Sequence, residues 1–328
     1  MKIIAEVGSV HDGSFGNACK LIELAAKCGA DVVKFQTHIA EAETLKDAPQ
    51  PPYFKGEPRL EYFQRTAFSG LQWKELRRLA HANKVEFLSS PFAIEAVDLL
   101  EGVGVDAYKI PSGEVSNVPL LERVAATGKP VLLSSGMSNW MELDRAFSSL
   151  QGSSKITVMQ CTSAYPCPPE LVGLNVISEM KDRYGLEIGF SDHCEGVAAA
   201  FAAAALGATV FEKHLTFSRQ MYGSDAANAM EPEDFKLYCD GLREIGRMRS
   251  SPVDKNNIAI YSDMKRIFEK SIVAARSLSV GTEVVFSDLA FKKPGDGFPA
   301  ANYRHILGKK LTVNVEKDHK FSDLDFDF

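Results

Sequence analysis

The sequence has no apolar run approaching the roughly 20 residues that would span a bilayer. Its opening, "MKIIAEVGS", turns polar too early for a secretory signal. No membrane is expected, and the cytoplasm is the expected compartment. The six cysteines (19, 28, 161, 167, 194 and 239) never take C-x-x-C spacing. That removes the usual zinc-ribbon and thiol-redox signatures and leaves reduced thiols, mostly core filler. Positive charge is not in excess either. The formal net charge is -6 with both signs scattered, so no broad basic face offers itself to nucleic acid. Low-complexity tracts are absent, and no G-x-G-x-x-G follows the first apolar run to favour a doubly wound sheet.

What is present is a chain of 328 residues, 45% hydrophobic, long enough for one large domain and a small one. Short apolar runs alternate with helical patterns eight times: "KIIAEVG" (2–8), "DVVKFQ" (31–36), "VEFLSS" (85–90), "AYKIPS" (107–112), "PVLLSS" (130–135), "ITVMQC" (156–161), "LEIGFS" (186–191) and "TVFEKH" (209–214). Between them lie stretches such as "NACKLIELAAKCG" and "LQWKELRRLAHANK", apolar at i, i+3, i+4 spacing. Runs of this kind separated by helices indicate a parallel sheet covered on its faces, and eight units indicate a (β/α)8 barrel over residues 1–250. "EPEDFKLYCDGLREIGRM", with an early proline and acidic first turn, reads as the last barrel helix. "SSPVDKNN" and the helical "IYSDMKRIFEK" form a connection over 251–269. From 270 to 328, β-branched runs broken by Gly and Pro indicate a small, mostly β domain.

The polar residues fall in a pattern. Glu6, Lys34, Gln36, Ser89, Ser90, Lys109, Ser112, Ser134, Ser191 and His214 all lie near or just past the C-terminal end of a run. In a barrel these ends share one face, where barrel enzymes keep their active sites. His193 and His214 follow neighbouring strands and can reach one divalent ion, with positions left for water and substrate oxygens. Each could instead serve only a local hydrogen bond. His11 is a further candidate for the mouth, His38 a weaker one, while His81, His305 and His319 read as surface residues. Lys34 and Lys109, with Ser112, Ser134, Ser163 and Ser191, suit a small phosphorylated acid, because inward lysines are costly without an anion. Salt bridges to Glu6 or Glu114 are the structural alternative, and a Schiff-base lysine is a third. Glu6, Glu114 and Asp225 are acids able to bind sugar hydroxyls or move protons, and Tyr165 either meets substrate or packs its own loop.

In "IAEVGSVHDGS", "VVKFQTH", "FLSSPF", "AYKIPSGE", "VLLSSGM", "CTSAYP", "GFSDH" and "EKHLT", the chain resembles the sialic acid synthase family, and "SIVAARSLSVGTEVVFSDLAFKKPGDG" resembles that family's antifreeze-like (SAF) module. The likeness runs in order over nearly the whole chain. It implies a barrel followed by the SAF domain, in a domain-swapped homodimer, and condensation of phosphoenolpyruvate with an open-chain 2-acetamido aldose. By that resemblance His193 and His214 hold Mn2+ or Mg2+, and Lys34, Lys109, Ser112, Ser134, Ser163 and Ser191 cradle phosphoenolpyruvate. Glu6, Gln36, Ser90, Phe92, Tyr165 and Asp225 face the sugar, and Glu114 is a candidate proton-transfer group. C3 of phosphoenolpyruvate would attack the aldehyde, water would add at C2, and phosphate would leave by C–O cleavage.

Two departures stand out. The family commonly has Arg before the "PG" of the small domain, where it reaches the sugar's N-acetyl group across the dimer; Lys293 stands there as the sugar-binding candidate, with the charge but without the bidentate fork. Residues 48–65 offer no counterpart of the Asn that some members direct at the sugar. N-acetylmannosamine is therefore not the only aldose to consider; legionaminate and pseudaminate precursors remain open. An octulosonate-type synthase would need an arginine-rich second phosphate site, and the strand ends carry no arginine. A non-catalytic carbohydrate-binding barrel would leave gaps among these positions, and none is seen.

Overall fold

The computed structural model describes residues 1–49, 57–223 and 225–327. Eight parallel strands close into a barrel in sequence order, with the first pairing the last. They are β1 (Lys2–Gly8), β2 (Val32–Thr37), β3 (Glu86–Pro91), β4 (Ala107–Ile110), β5 (Val131–Ser134), β6 (Ile156–Cys161), β7 (Ile188–Asp192) and β8 (Val210–His214). The fold class is thus the (β/α)8 barrel. The runs read from sequence match these to within two residues at either end, and β4 stops two residues short of its run. There Pro111 supplies no N–H for a ladder and the chain turns into a 3-10 segment, Ser112–Glu114.

Side chains alternate between the helices and the lumen. The outward set, including Ile3, Val33, Phe35, Phe87, Tyr108, Leu133, Phe190 and Phe211, packs with the surrounding helices in the main core. The lumen has its own small apolar cluster of Ile4, Val32, Leu88, Ala107, Met159 and Val210, with Leu132 against it. The helix Gly70–Ala82 shows how locally specified the outer ring is. Ser69 and Gln72 form a reciprocal capping box, and Trp73, Leu76 and Ala80 make the buried stripe. The last barrel helix runs Pro232–Ser250, with Pro at its start and Glu233 and Asp234 in its first turn.

The chain divides into two compact units, Met1–Ser251 and Pro252–Phe328. The second begins with a short helix, Ser262–Phe268, and carries two small antiparallel pairings, Ser271–Ala274 with Leu289–Lys292 and Lys310–Leu311 with Phe326–Asp327. Its separate core gathers Ile272, Ala274, Leu278, Val284, Ile306, Leu311 and Phe321. Among the described residues no helix is long and apolar enough to cross a membrane.

Candidate active site

The site is built by the same two-residue period that builds the strands. Two residues beyond each member of the apolar lumen cluster stands Glu6, Lys34, Ser90, Lys109, Ser134, Cys161 or Glu212, and Ser191 completes the ring from β7. All eight are buried. An apolar layer therefore floors a polar one, nearer the C-terminal face.

Within the upper layer the charges meet. Lys109 donates to both Glu212 oxygens, at 2.8 and 3.0 Å, and Lys34 lies 3.2 Å from Glu212 and 3.2 Å from Glu6. Ser191 donates to Glu212 Oε1 at 3.3 Å, and Lys34 donates to Ser90 at 3.3 Å. Sequence reasoning allowed each lysine a partner in Glu6 or Glu114. Lys34 does pair with Glu6, but Glu114 takes no part, and Glu212, not singled out as a site residue, serves both lysines. Burial would raise the Glu212 carboxyl, yet Lys109 and Lys34 outweigh it and hold it well below its usual range. Burial dominates at Glu6, offset only partly by Lys34, and lifts it to about 7. Lys109 is pulled below the usual lysine range by burial, while Glu212 and Glu6 overcome burial at Lys34 and raise it. The layer thus holds two ammoniums, one firm carboxylate and one carboxyl poised near neutrality.

The hydroxyls form a cradle at one rim. A Cβ on Gly136 would stand 1.9 Å from Ser112 Oγ and 2.6 Å from Ser163 Oγ, so both hydroxyls press on bare backbone that only glycine supplies. Ser112 also meets Cys161 Sγ at 3.7 Å. Gly136 went unremarked in the sequence, although it sits in the "SSGM" stretch after β5.

His193 and His214 face one another beyond the charged ring, with ring centroids 6.1 Å apart. Tyr165, 47% exposed, lies over them, 4.1 Å from His193 and 6.4 Å from His214 by centroid. His193 Nδ1 donates to the Thr162 carbonyl at 2.8 Å, which leaves Nε2 as the acceptor nitrogen. His214 Nδ1 is buried with no hydrogen-bond partner, and burial pushes that imidazole down to about 4, so it is neutral at physiological pH. One oriented imidazole and one orphaned neutral nitrogen suit a divalent cation. Among the described residues no group of three or more His, Cys, Asp or Glu is arranged to hold a metal. An ion here would draw its remaining ligands from substrate and water, as a Lewis-acid site requires.

On the opposite rim Gln36 donates to Glu6 Oε1 at 2.8 Å and turns its own oxygen to His38 Nε2 at 3.2 Å. His38 Nδ1 meets Glu43 at 2.8 Å, and the imidazole is stacked between Phe63 and Phe92, centroids at 3.7 and 4.1 Å. Phe92 thus reaches the rim through His38. Asp225 is drawn to the end of β1, where the Ser9 N–H and hydroxyl donate to Oδ2 at 2.8 and 2.9 Å. The approach depends on Gly8, at φ +52° beside a register shift in β1, because a Cβ there would lie 2.3 Å from that oxygen. Glu114 accepts from Asn117 at 2.8 Å, and burial raises its carboxyl. His11 is buried against Phe68, accepts the Gly13 N–H, and shares a small cavity with Gly8, Gln36 and His38. His81 and His305 are exposed, while His319 is half-buried and bonded to Asp325. In the second unit, Lys293 lies over the Phe268 ring at 4.8 Å. The reading of 48–65 as lacking a sugar-facing Asn falls partly on 50–56, outside the described residues.

Buried lysines, carboxylates and hydroxyls thus share one layer of the barrel, and two histidines face one another beyond it. The NeuB family pattern matches residues 21–254 and the SAF domain pattern residues 269–321. The chain is 38% identical to an N,N'-diacetyllegionaminic acid synthase of Campylobacter jejuni, over 96% of this chain and 97% of that one. It is 34% identical to the human N-acetylneuraminate-9-phosphate synthase, over 96% and 90% of the two chains. A solved N-acetylneuraminic acid synthetase from Leptospira borgpetersenii superposes with a TM-score of 0.70 at 26% identity, covering 80% of this chain and 92% of that one. The chain belongs to the NeuB family of sialic acid-type (nonulosonate) synthases and carries a SAF domain.

Proposed function

We propose that the protein condenses phosphoenolpyruvate with the open-chain form of an unphosphorylated 2-acetamido aldose and water, giving a nine-carbon 2-keto-3-deoxy sugar acid and phosphate. The observation that carries this reading is the buried upper layer, where Lys34 and Lys109 stand among hydroxyls and Glu212, two residues before His214 on β8. Phosphate and carboxylate oxygens would take those ammoniums and the hydroxyls of Ser112, Ser134, Ser163 and Ser191 as donors. Gln36, Glu6, Ser90 and Asp225 would hold the sugar on the other rim, with Phe92 behind His38, and Tyr165 would meet it from over the histidines. His193 and His214 would hold Mn2+ or Mg2+, which when bound supplies Lewis-acid polarisation of the aldehyde oxygen.

With both substrates held, C3 of phosphoenolpyruvate forms its bond to the aldehyde carbon and positive charge develops at C2. Water adds at C2 and loses a proton, and the hemiketal expels phosphate as its C–O bond breaks. Glu6, near neutrality in its acidity, is suited to exchange a proton with the new hydroxyl. Glu114, raised by burial, would steady the cationic carbon or take the water's proton. Orienting two substrates in one dry lumen is worth several kcal/mol of barrier.

The strong likeness to the Campylobacter enzyme favours a second reading of the sugar, a 2,4-diacetamido-trideoxyhexose in place of N-acetylmannosamine. The test is phosphate release from phosphoenolpyruvate with Mn2+, Mg2+ or EDTA, across both kinds of sugar and arabinose 5-phosphate. Metal-dependent release with one unphosphorylated sugar, alongside a nine-carbon keto acid, supports the proposal. Release with arabinose 5-phosphate alone overturns it. A homodimer is part of the proposal, supported by Val253, Ile260, Met264, Ile267 and Phe268, all at least half exposed. Light scattering at micromolar concentration checks it, and a monomer there removes Lys293 from any role in a partner's site.

A further inference from the structure

The triplet Glu212-Lys213-His214 divides between two faces. Glu212 points into the lumen, so Lys213 must point outward, on the same side as Phe211. It is buried there, as is Asp192, its register partner on β7. Their side chains meet at 3.2 Å, with 2% and 0% of their surface exposed. A fully buried ion pair on the apolar, helix-covered face of a barrel is costly, and the charged lumen layer makes no use of it. Burial and the Asp192 carboxylate together push the Tyr238 hydroxyl, on the last barrel helix, well above its usual range.

The position of this pair in the sequence matters. Asp192 immediately precedes His193 and Lys213 immediately precedes His214. Asp192 Oδ1 accepts the N–H of Cys194 at 2.8 Å, and Lys213 Nζ donates to the Cys194 carbonyl. Both polar groups of the residue after His193 are thereby held by the pair. The His193 carbonyl accepts the Cys167 N–H at 2.9 Å, and its ring is tied to Thr162. Lys213 is the one link in this set that comes from the strand carrying His214.

We propose that Asp192 and Lys213 are positioning residues, a buried buckle between β7 and β8 that fixes the separation and orientation of His193 and His214 toward a divalent ion. This rests on reading those histidines as ion ligands. Outer groups that orient ligands typically change metal affinity 10–100-fold when lost. Removing one charge alone would strand the other, so the informative variant removes both. In Asp192→Asn/Lys213→Met the amide keeps an oxygen for the Cys194 N–H while the tie to β8 is gone.

The experiment measures Mn2+ binding to the full chain by calorimetry, the d–d spectrum of the Co2+-loaded protein, and phosphoenolpyruvate affinity without metal. In the double variant Mn2+ affinity should fall about 10–100-fold. The Co2+ bands should shift, and metal-free phosphoenolpyruvate affinity should stay within about twofold. Lys213→Arg, which keeps a charged donor, should retain most of the Mn2+ affinity. Unchanged Mn2+ affinity in the double variant overturns the buckle, and so does a parallel loss of phosphoenolpyruvate affinity, which would mean general loosening. If His193→Ala leaves Mn2+ binding untouched, the ion site itself fails and the inference goes with it.

Discussion

The lumen of the barrel contains two layers only two residues apart on each strand, and they are chemical opposites. The lower one, Ile4, Val32, Leu88, Ala107, Met159 and Val210, is apolar. The upper one holds Glu6, Lys34, Lys109 and Glu212 in a closed set of ion pairs. Both are buried, so exposure does not distinguish them. The lower layer stabilises by removing apolar surface from water, whereas the upper one spends part of that stability on keeping charges dehydrated and ready for an anion. Stability and function are segregated by height in the barrel rather than by domain.

The sharpest break of this comparison is in the upper layer. Lys109→Met, or Lys34→Met, should lower kcat/KM for phosphoenolpyruvate by roughly 10²–10³-fold, as loss of a preorganised donor does elsewhere. Steady-state phosphate release measures it, and a change under about tenfold would mean the lysines are structural. Next is the lower layer, where Leu88→Ala should cost about 2–5 kcal/mol in urea unfolding. Its kcat should stay within a few-fold for the protein that remains folded; a kinetic loss matching the lysine variants would erase the division. Smaller again is Gly136→Ala. Its Cβ displaces the Ser112 and Ser163 hydroxyls, so KM for phosphoenolpyruvate should rise by about tenfold, the value of one good hydrogen bond, with little change in melting temperature.

The smallest effect has the opposite sign. Glu6 is raised to about 7 from an ordinary 4.5, so its folded-state protonation contributes stability below pH 4.5 that is lost as pH rises through 7. Glu6→Gln removes that loss. It should melt higher than the parent above pH 7, by on the order of 1 kcal/mol, with the gap closing toward pH 4.5. A pH-independent difference would show that Glu6 is not the titrating group.

Much of this was legible in the sequence because polar residues at the ends of apolar runs are unusual and recurred on seven of the eight strands. The histidine pair followed from its place after neighbouring strands. Glu212 did not, although it opens the ionisable triplet that ends β8. The missing step was strand alternation, which sends Glu212 and His214 to one face and Lys213 to the other. Glu114 was one of the two acids offered to the inward lysines as a salt-bridge partner. β4 stops at Ile110, and in the 3-10 turn that follows Glu114 accepts from Asn117 instead of pairing with a lysine. Gly136 and the Gly8–Asp225 approach could not be read, since each depends on what a missing Cβ would strike in a segment distant in sequence.

The triplet on β8 also limits how such a protein can change. On the roles proposed above, three successive residues hold the lysines, tie two strands and face an ion, and only their parity keeps the three tasks apart. Inserting or deleting one residue within β8 would send the ammonium inward and the imidazole outward together. The strand can accept substitutions but not a change of length.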